Sequence, residues 1–273
     1  MPKQTSLQLL FTLMLVCAGG GSHAIVGGMD TSAFGQVSNG VQITPNWVVT
    51  ARHVGLGLGD TFSNGYGSSL VAARYDFGGG AFPLNDLALV RLTSTINAPV
   101  LSLNASALGA GSGYDIGATI VTGRNQVPRG YAWSSVREFM PSYDEDDAGP
   151  KPPLDVNWLV TYPDGFGAPY VQGGDSGGAL FLGQIDHADA GSLLWGIASA
   201  QIYDEDENKQ PINYRSGFVQ LASYRNWIDG TMSADLADGQ MASWMIGSVP
   251  EPAPQALLAL GLLALAWRQH RRR

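Results

Sequence analysis

The pentapeptide Gly174-Asp175-Ser176-Gly177-Gly178 sets a serine hydroxyl among glycines. A nucleophilic serine needs backbone N–H groups close enough to cradle the oxyanion of a tetrahedral intermediate, and glycine permits that approach. The same five residues could also form a purely structural turn. A serine nucleophile needs a base, and the chain has 4 histidines. His23 and His270 fall in the terminal segments, while His187 lies in the polar stretch Ile185-Asp186-His187-Ala188-Asp189, which reads as an exposed loop. His53 follows the apolar run Trp47-Val48-Val49-Thr50-Ala51, where a strand ends and a side chain can enter a cleft. The third role is a buried carboxylate that orients the imidazole and supports its charge. Asp86 heads the run Asp86-Leu87-Ala88-Leu89-Val90-Arg91-Leu92, and an acid there is costly unless paired. Ser176, His53 and Asp86 are thus the candidate nucleophile, base and orienting acid.

The elements that must position them are short strands. Runs at 40–43, 47–51, 70–74, 86–92, 118–122, 158–162, 178–182, 193–198 and 217–221 are β-branched or alternate in polarity, with Gly, Pro, Asn and Asp between them. Only Leu221, Tyr224, Trp227 and Ile228 recur at helical spacing, within 221–229. The expectation is an all-β fold with one C-terminal helix. Residues 231–248 lose this pattern and read as a linker. The acidic runs 144–147 and 204–207 read as solvated loops, because contiguous acids lack the spaced oxygens of a calcium loop.

Composition agrees with this reading. Of 273 residues 14% are charged and 36 are Gly, which suits tight turns better than long solvated helices. The formal net charge of -8 argues against a nucleic-acid partner. A single Cys excludes an intrachain disulfide or a multi-cysteine metal site, and no cofactor or metal is expected.

Both ends read as address labels. Lys3, the apolar run 7–16 and the small residues 18–22 have the layout of a secretory signal peptide, cut after Ala18 or after Ala24. Either cut removes Cys17. At the other end Val249-Pro250-Glu251-Pro252 precedes an apolar stretch, 256–267, and the basic end Arg268-Gln269-His270-Arg271-Arg272-Arg273. That stretch is shorter than the ~20 residues a spanning helix needs. The three parts in this order resemble the PEP-CTERM sorting signal of exported Gram-negative bacterial proteins. The resemblance implies exosortase processing and a periplasmic, cell-surface or matrix destination, with transient inner-membrane anchoring. Lys3, the four tail arginines and Glu251 lie outside the body, so residues 25–248 carry net charge -12 against -8 for the whole chain.

The order His53, Asp86, Ser176 separates two layouts for a Gly-x-Ser-x-Gly serine. In α/β-hydrolases the serine comes first, yet only His187 follows it in the body, and no alternating βα pattern is present. His–Asp–Ser is the chymotrypsin order. Residues 25–229 resemble the chymotrypsin/trypsin-type serine proteases at six points in sequence. These are Ile25-Val26-Gly27-Gly28, Thr50-Ala51-Arg52-His53-Val54, the Asp86 strand, the Ser176 box, Leu194-Trp195-Gly196 and Tyr224-Arg225-Asn226-Trp227-Ile228.

The resemblance implies two six-stranded antiparallel β-barrels with the triad in their cleft. Gly174 and Ser176 would supply oxyanion-hole N–H groups, and Asp175 would pair with a free α-ammonium of Ile25. Signal cleavage after Ala24 would expose Ile25 directly, whereas cleavage after Ala18 would leave a six-residue propeptide. Tyr170, six residues before Ser176, would floor the specificity pocket in place of the Asp that selects Arg or Lys. Trp195, Gly196 and Gly217 would form its walls. Arg52 replaces a small residue beside the histidine, Val54 the usual cysteine, and Leu194 the serine before Trp195. The function implied is an exported serine endopeptidase acting on protein or peptide substrates after release by signal peptidase. The alternative is a catalytically silent relative that binds protein or surface polymer.

Overall fold

The computed structural model describes residues 25–123, 129–143, 154–162, 169–235 and 239–247. The signal-peptide segment, the acidic run 144–147 and the sorting tail lie outside the described residues. The first half contributes β1 (Met29–Thr31), β2 (Val41–Gln42), β3 (Trp47–Thr50), β4 (Thr61–Asn64), β5 (Gly67–Asp76), β6 (Ala88–Leu92) and β7 (Ser102–Asn104). The second half contributes β8 (Gly111–Thr122), β9 (Arg129–Tyr143), β10 (Leu154–Tyr162), β11 (Ala179–Leu182), β12 (Leu193–Glu205) and β13 (Pro211–Gln220). A 3-10 turn, Leu221–Tyr224, leads into α1 (Arg225–Ala234), and β14 (Ser243–Met245) follows.

The architecture is all-β with one short C-terminal helix, as expected. Strand counts differ between the halves. β8 to β13 close into a ring of six, because β11 pairs with both β8 and β12. The first sheet has five strands in the order β2-β3-β6-β5-β4, since β7 leaves it to pair in parallel with β12.

Period-two alternation distributes the core. Along β3 and β6, Val48, Val90 and Leu92 point into a cluster of the first sheet with Phe62 and Val71. Their neighbours Trp47, Val49 and Leu89 point the other way, into a layer shared with Val121, Trp158, Phe181 and Ile197 of the second barrel. This shared layer holds the two halves together, and α1 adds Ile228 and Met232 to it. Trp195, Phe218, Leu159 and Ile25 fill the second barrel.

Residues 231–235 and 239–247 do not behave as the linker their composition suggested. α1 continues to Ala234, and β14 lies parallel to β7, with Ala105 N donating to Met245 O at 2.8 Å. The acidic run 204–207 is also more engaged than a solvated loop. Asp204, the penultimate residue of β12, is bonded to Arg215 Nη2 at 2.7 Å and to Asn213 Nδ2 at 3.1 Å.

Candidate active site

His53 sits in the turn that follows β3, and Val54 N donates to Ala51 O at 3.1 Å to form it. Asp86 does not open β6 but lies two residues before its first residue, Ala88. Asn85 adopts φ 46° and Leu87 N donates to Asn85 O at 2.8 Å, so the chain turns tightly through Asp86. The Asp86 side chain is 1% exposed and accepts from His53 twice: from the backbone N at 2.9 Å to Oδ1, and from Nδ1 at 2.7 Å to Oδ2. His53 Nε2 lies 2.7 Å from Ser176 Oγ. Residues 33 and 123 positions apart in sequence are thereby joined in one hydrogen-bonded line.

A third donor on Asp86 escaped the sequence reading. Ser199 Oγ donates to Asp86 Oδ2 at 2.6 Å from a buried position. A register shift between Ala198 and Ala200 leaves Ser199 in a bulge of β12, which turns its side chain toward the acid. The serine that serves this carboxylate is therefore Ser199, followed by Ala200 and Gln201, and not the position of Leu194 before Trp195-Gly196. The available signal was a small polar residue inside the otherwise apolar run Trp195-Gly196-Ile197-Ala198-Ser199-Ala200.

Trp195, Gly196 and Gly217 do not form the walls expected of them. Trp195 is 1% exposed within the second-barrel core. Gly196 lies against Phe218, and Gly217 against the Trp158 indole, so neither opens onto the Ser176 cleft by lacking a side chain. Tyr170 stacks on Tyr214 with ring centroids 4.5 Å apart and planes 6° from parallel. Burial, then the neighbouring Tyr214, raises the Tyr170 pKa above its ordinary value.

The Ser176 loop is wound tightly. Gly174 and Gly177 take φ 97° and 83°, Asp175 N donates to Gln172 O at 2.9 Å, and Gly178 N to Asp175 O at 3.0 Å. Gly177 N is spent on Ala198 O at 2.9 Å. The N–H groups of Gly174 and Ser176 meet no hydrogen-bond acceptor among the described residues. Asp175 is 2% exposed and its Oδ2 accepts from Gln172 N at 2.9 Å. Ile25 is 1% exposed at φ 59°, and Val26 and Tyr170 exchange backbone bonds of 3.2 and 3.4 Å. The start of the body is thus laced to the segment entering the Ser176 loop.

Two further side chains frame the histidine. Phe82 meets the His53 ring edge-on at 4.7 Å between centroids. Arg52 does not direct its charge at the imidazole. Its Nη2 donates to the carbonyls of Gly80 and Leu84 at 2.7 and 2.8 Å, bracing the loop that leads to Asp86. His187 is exposed and pairs with Asp186 at 2.6 Å, which raises the His187 pKa chiefly through that hydrogen bond. Among the described residues no group of three His, Cys, Asp or Glu side chains is placed to hold a metal ion, and no helix is long and apolar enough to cross a membrane.

Residues 18–228 match the family model described as Trypsin, and residues 248–273 match the PEP-CTERM protein-sorting motif, which implies export and membrane-associated processing. No match was found among curated protein sequences. Among solved structures, a variant of human heparin binding protein aligns over 79% of this chain and 100% of its own, at 19% identity and TM-score 0.50. Two further structures of human heparin binding protein each cover 77% of this chain and 97% of their own, at 20% identity and TM-score 0.48. At such identity the likeness is one of fold. The family match spans most of the chain and includes every residue of the Ser176–His53–Asp86 line, so the protein belongs to the trypsin family.

Proposed function

We propose that the protein is an exported serine endopeptidase that cleaves peptide bonds through an acyl-enzyme. The observation that carries this reading is the unbroken line Ser176 Oγ–His53 Nε2 and His53 Nδ1–Asp86 Oδ2, each link 2.7 Å. With Nδ1–H donated to Asp86, Nε2 is left to accept the Ser176 proton as Oγ attacks the carbonyl carbon. Asp86 stabilises the imidazolium, which then gives its proton to the leaving amine. Water, activated by the same imidazole, releases the acid and restores Ser176. The N–H groups of Gly174 and Ser176 would hold the oxyanion, and losing one such donor in related chemistry costs ~2.7–4 kcal/mol of barrier. Metal or cofactor has no role in this scheme.

A free Ile25 ammonium paired with Asp175 would set the Ser176 loop, and the burial of both residues supports that reading. Tyr170, an aromatic rather than an acid, argues against a preference for Arg or Lys. Signal peptidase would release the protein, and exosortase would process the tail at Val249-Pro250-Glu251-Pro252.

The test is fluorophosphonate labelling of the exported protein beside its Ser176→Ala variant, with N-terminal sequencing of each. Labelling confined to Ser176 is expected. A folded protein beginning at Ile25 that takes up no label would overturn the proposal and leave a binding role.

A further inference from the structure

We propose that Arg74 is a positioning residue for His53, providing by hydrogen bonds the restraint that a cysteine tie would otherwise supply; this rests on the peptidase reading above. The segment after His53 has no strand or helix of its own, and Val54 occupies the position where the family box carries cysteine. With one Cys in the whole chain, no disulfide can anchor it. Arg74, on β5, reaches it instead. Nη1 donates to Val54 O at 2.8 Å and to Leu56 O at 2.9 Å, and Nη2 donates to Arg52 O. Nε is held by Asp76 Oδ1 at 2.8 Å, which fixes the plane of the fork.

The three accepting carbonyls lie one residue before His53, one after it and three after it. A guanidinium suits this role because its donors are planar and rigid, so one side chain fixes several acceptors at once. Its side chain is 17% exposed, which shields these charge-assisted bonds from water. The restraint then passes to the acid's side of the site. Arg52, whose carbonyl Arg74 holds, sends its own guanidinium to Gly80 O and Leu84 O, on the loop that carries Phe82 against the His53 ring. Arg74 touches no reacting atom. It acts through the backbone that aims the imidazole between Asp86 and Ser176.

Displacing a catalytic group by about 1 Å can cost on the order of 100-fold in rate. The experiment uses the full exported chain as wild type, Arg74→Ala and Arg74→Lys, with a fluorophosphonate as probe. Arg74→Ala is expected to slow labelling about 100-fold, with partial recovery on adding guanidinium ion below denaturing concentration. Arg74→Lys, a point charge without the fork, is expected to lose about 10-fold while melting as wild type.

Amide hydrogen exchange provides a readout independent of activity: residues 53–57 should exchange faster in both variants, with β8–β13 unchanged. A folded Arg74→Ala that labels within threefold of wild type overturns the proposal, as does a loss that guanidinium cannot restore. If Arg74→Ala does not fold, Arg74→Lys decides, and labelling at the wild-type rate refutes the role. Should wild type itself take no label, the peptidase reading fails. Exchange at 53–57 then shows whether Arg74 restrains the histidine segment, and unchanged exchange removes that claim too.

Discussion

Replacing Ser199 by alanine removes one of three donors from a carboxylate that is 1% exposed. A hydrogen bond to a charged group contributes roughly 1.5–3 kcal/mol, against about 0.5–1.5 kcal/mol between neutral partners. The two bonds from His53 remain, so Asp86 is not left unpaired and the lower end applies, about 1.5 kcal/mol. For a domain of this size that corresponds to a fall in Tm of roughly 3–6 °C. Labelling of Ser176 should slow by less than about tenfold, because the Nδ1 contact that orients His53 is retained. The sharper test is a double-mutant cycle with Asp86→Asn, scored by calorimetry or urea unfolding. If Ser199 acts on the carboxylate, its removal should cost about 1 kcal/mol less once that charge is gone. Additivity of the two substitutions within about 0.5 kcal/mol would refute the reasoning, as would a labelling loss equal to that of Asp86→Asn alone.

Gly177→Ala should be far more damaging than its size suggests. A Cβ there would lie 2.2 Å from the Asn39 carbonyl oxygen and 2.8 Å from Thr50 Oγ1, at a φ of 83°. Asn39 O also accepts from Thr50 Oγ1 at 2.6 Å, so relief of the clash displaces either Ser176 or the end of β3 that leads to His53. Stability should fall by at least ~1–2 kcal/mol from backbone conformation alone, and labelling by about 100-fold. A variant labelled at the wild-type rate would contradict this placement. Alkaline stability tests the tyrosines. The pKa values of Tyr162 and Tyr224 are raised mainly by burial, and that of Tyr75 mainly by its hydrogen bond to Asp235. A raised phenol pKa means that the unfolded chain releases its proton first, so stability present below about pH 10 is lost as pH rises beyond it. Unfolding followed by calorimetry above pH 10 should show this decline, together with delayed phenolate absorbance in the folded protein; phenolate appearing at the ordinary pH without loss of stability would refute it.

Strand legibility tracked side-chain pattern. β3 was visible because all four of its residues are buried, and the heart of β12 because its apolar run is long. β9 was not anticipated although it has 15 residues. Ser134, Ser135, Arg137 and Glu138 dilute its alternation, yet β8 and β10 satisfy its backbone on both sides whatever those side chains are. β14 is too short to carry a pattern, and parallel pairing with β7 alone makes it a strand. A turn through Asn85 set Asp86 ahead of β6, although residue type alone placed the acid at the head of the strand.

The sequence by itself determined the residue types of the Ser176–His53–Asp86 line, their order, the all-β class with its terminal helix, and the sorting motif at the C-terminus. These follow from local composition and spacing, which a linear chain carries without folding. Only the tertiary structure decided that Ser199 serves Asp86, that Trp195 belongs to the core, that Arg52 braces a loop, and that Arg74 holds the histidine segment. The hydrogen bonds of Ser199, Arg52 and Arg74 join residues from 18 to 113 positions apart, Trp195 sits in a cluster that also holds Ile25, and the Ser199 contact depends on a bulge that changes which face a side chain takes. A one-residue shift in a strand reverses inside and outside, and no local pattern records where such a shift falls.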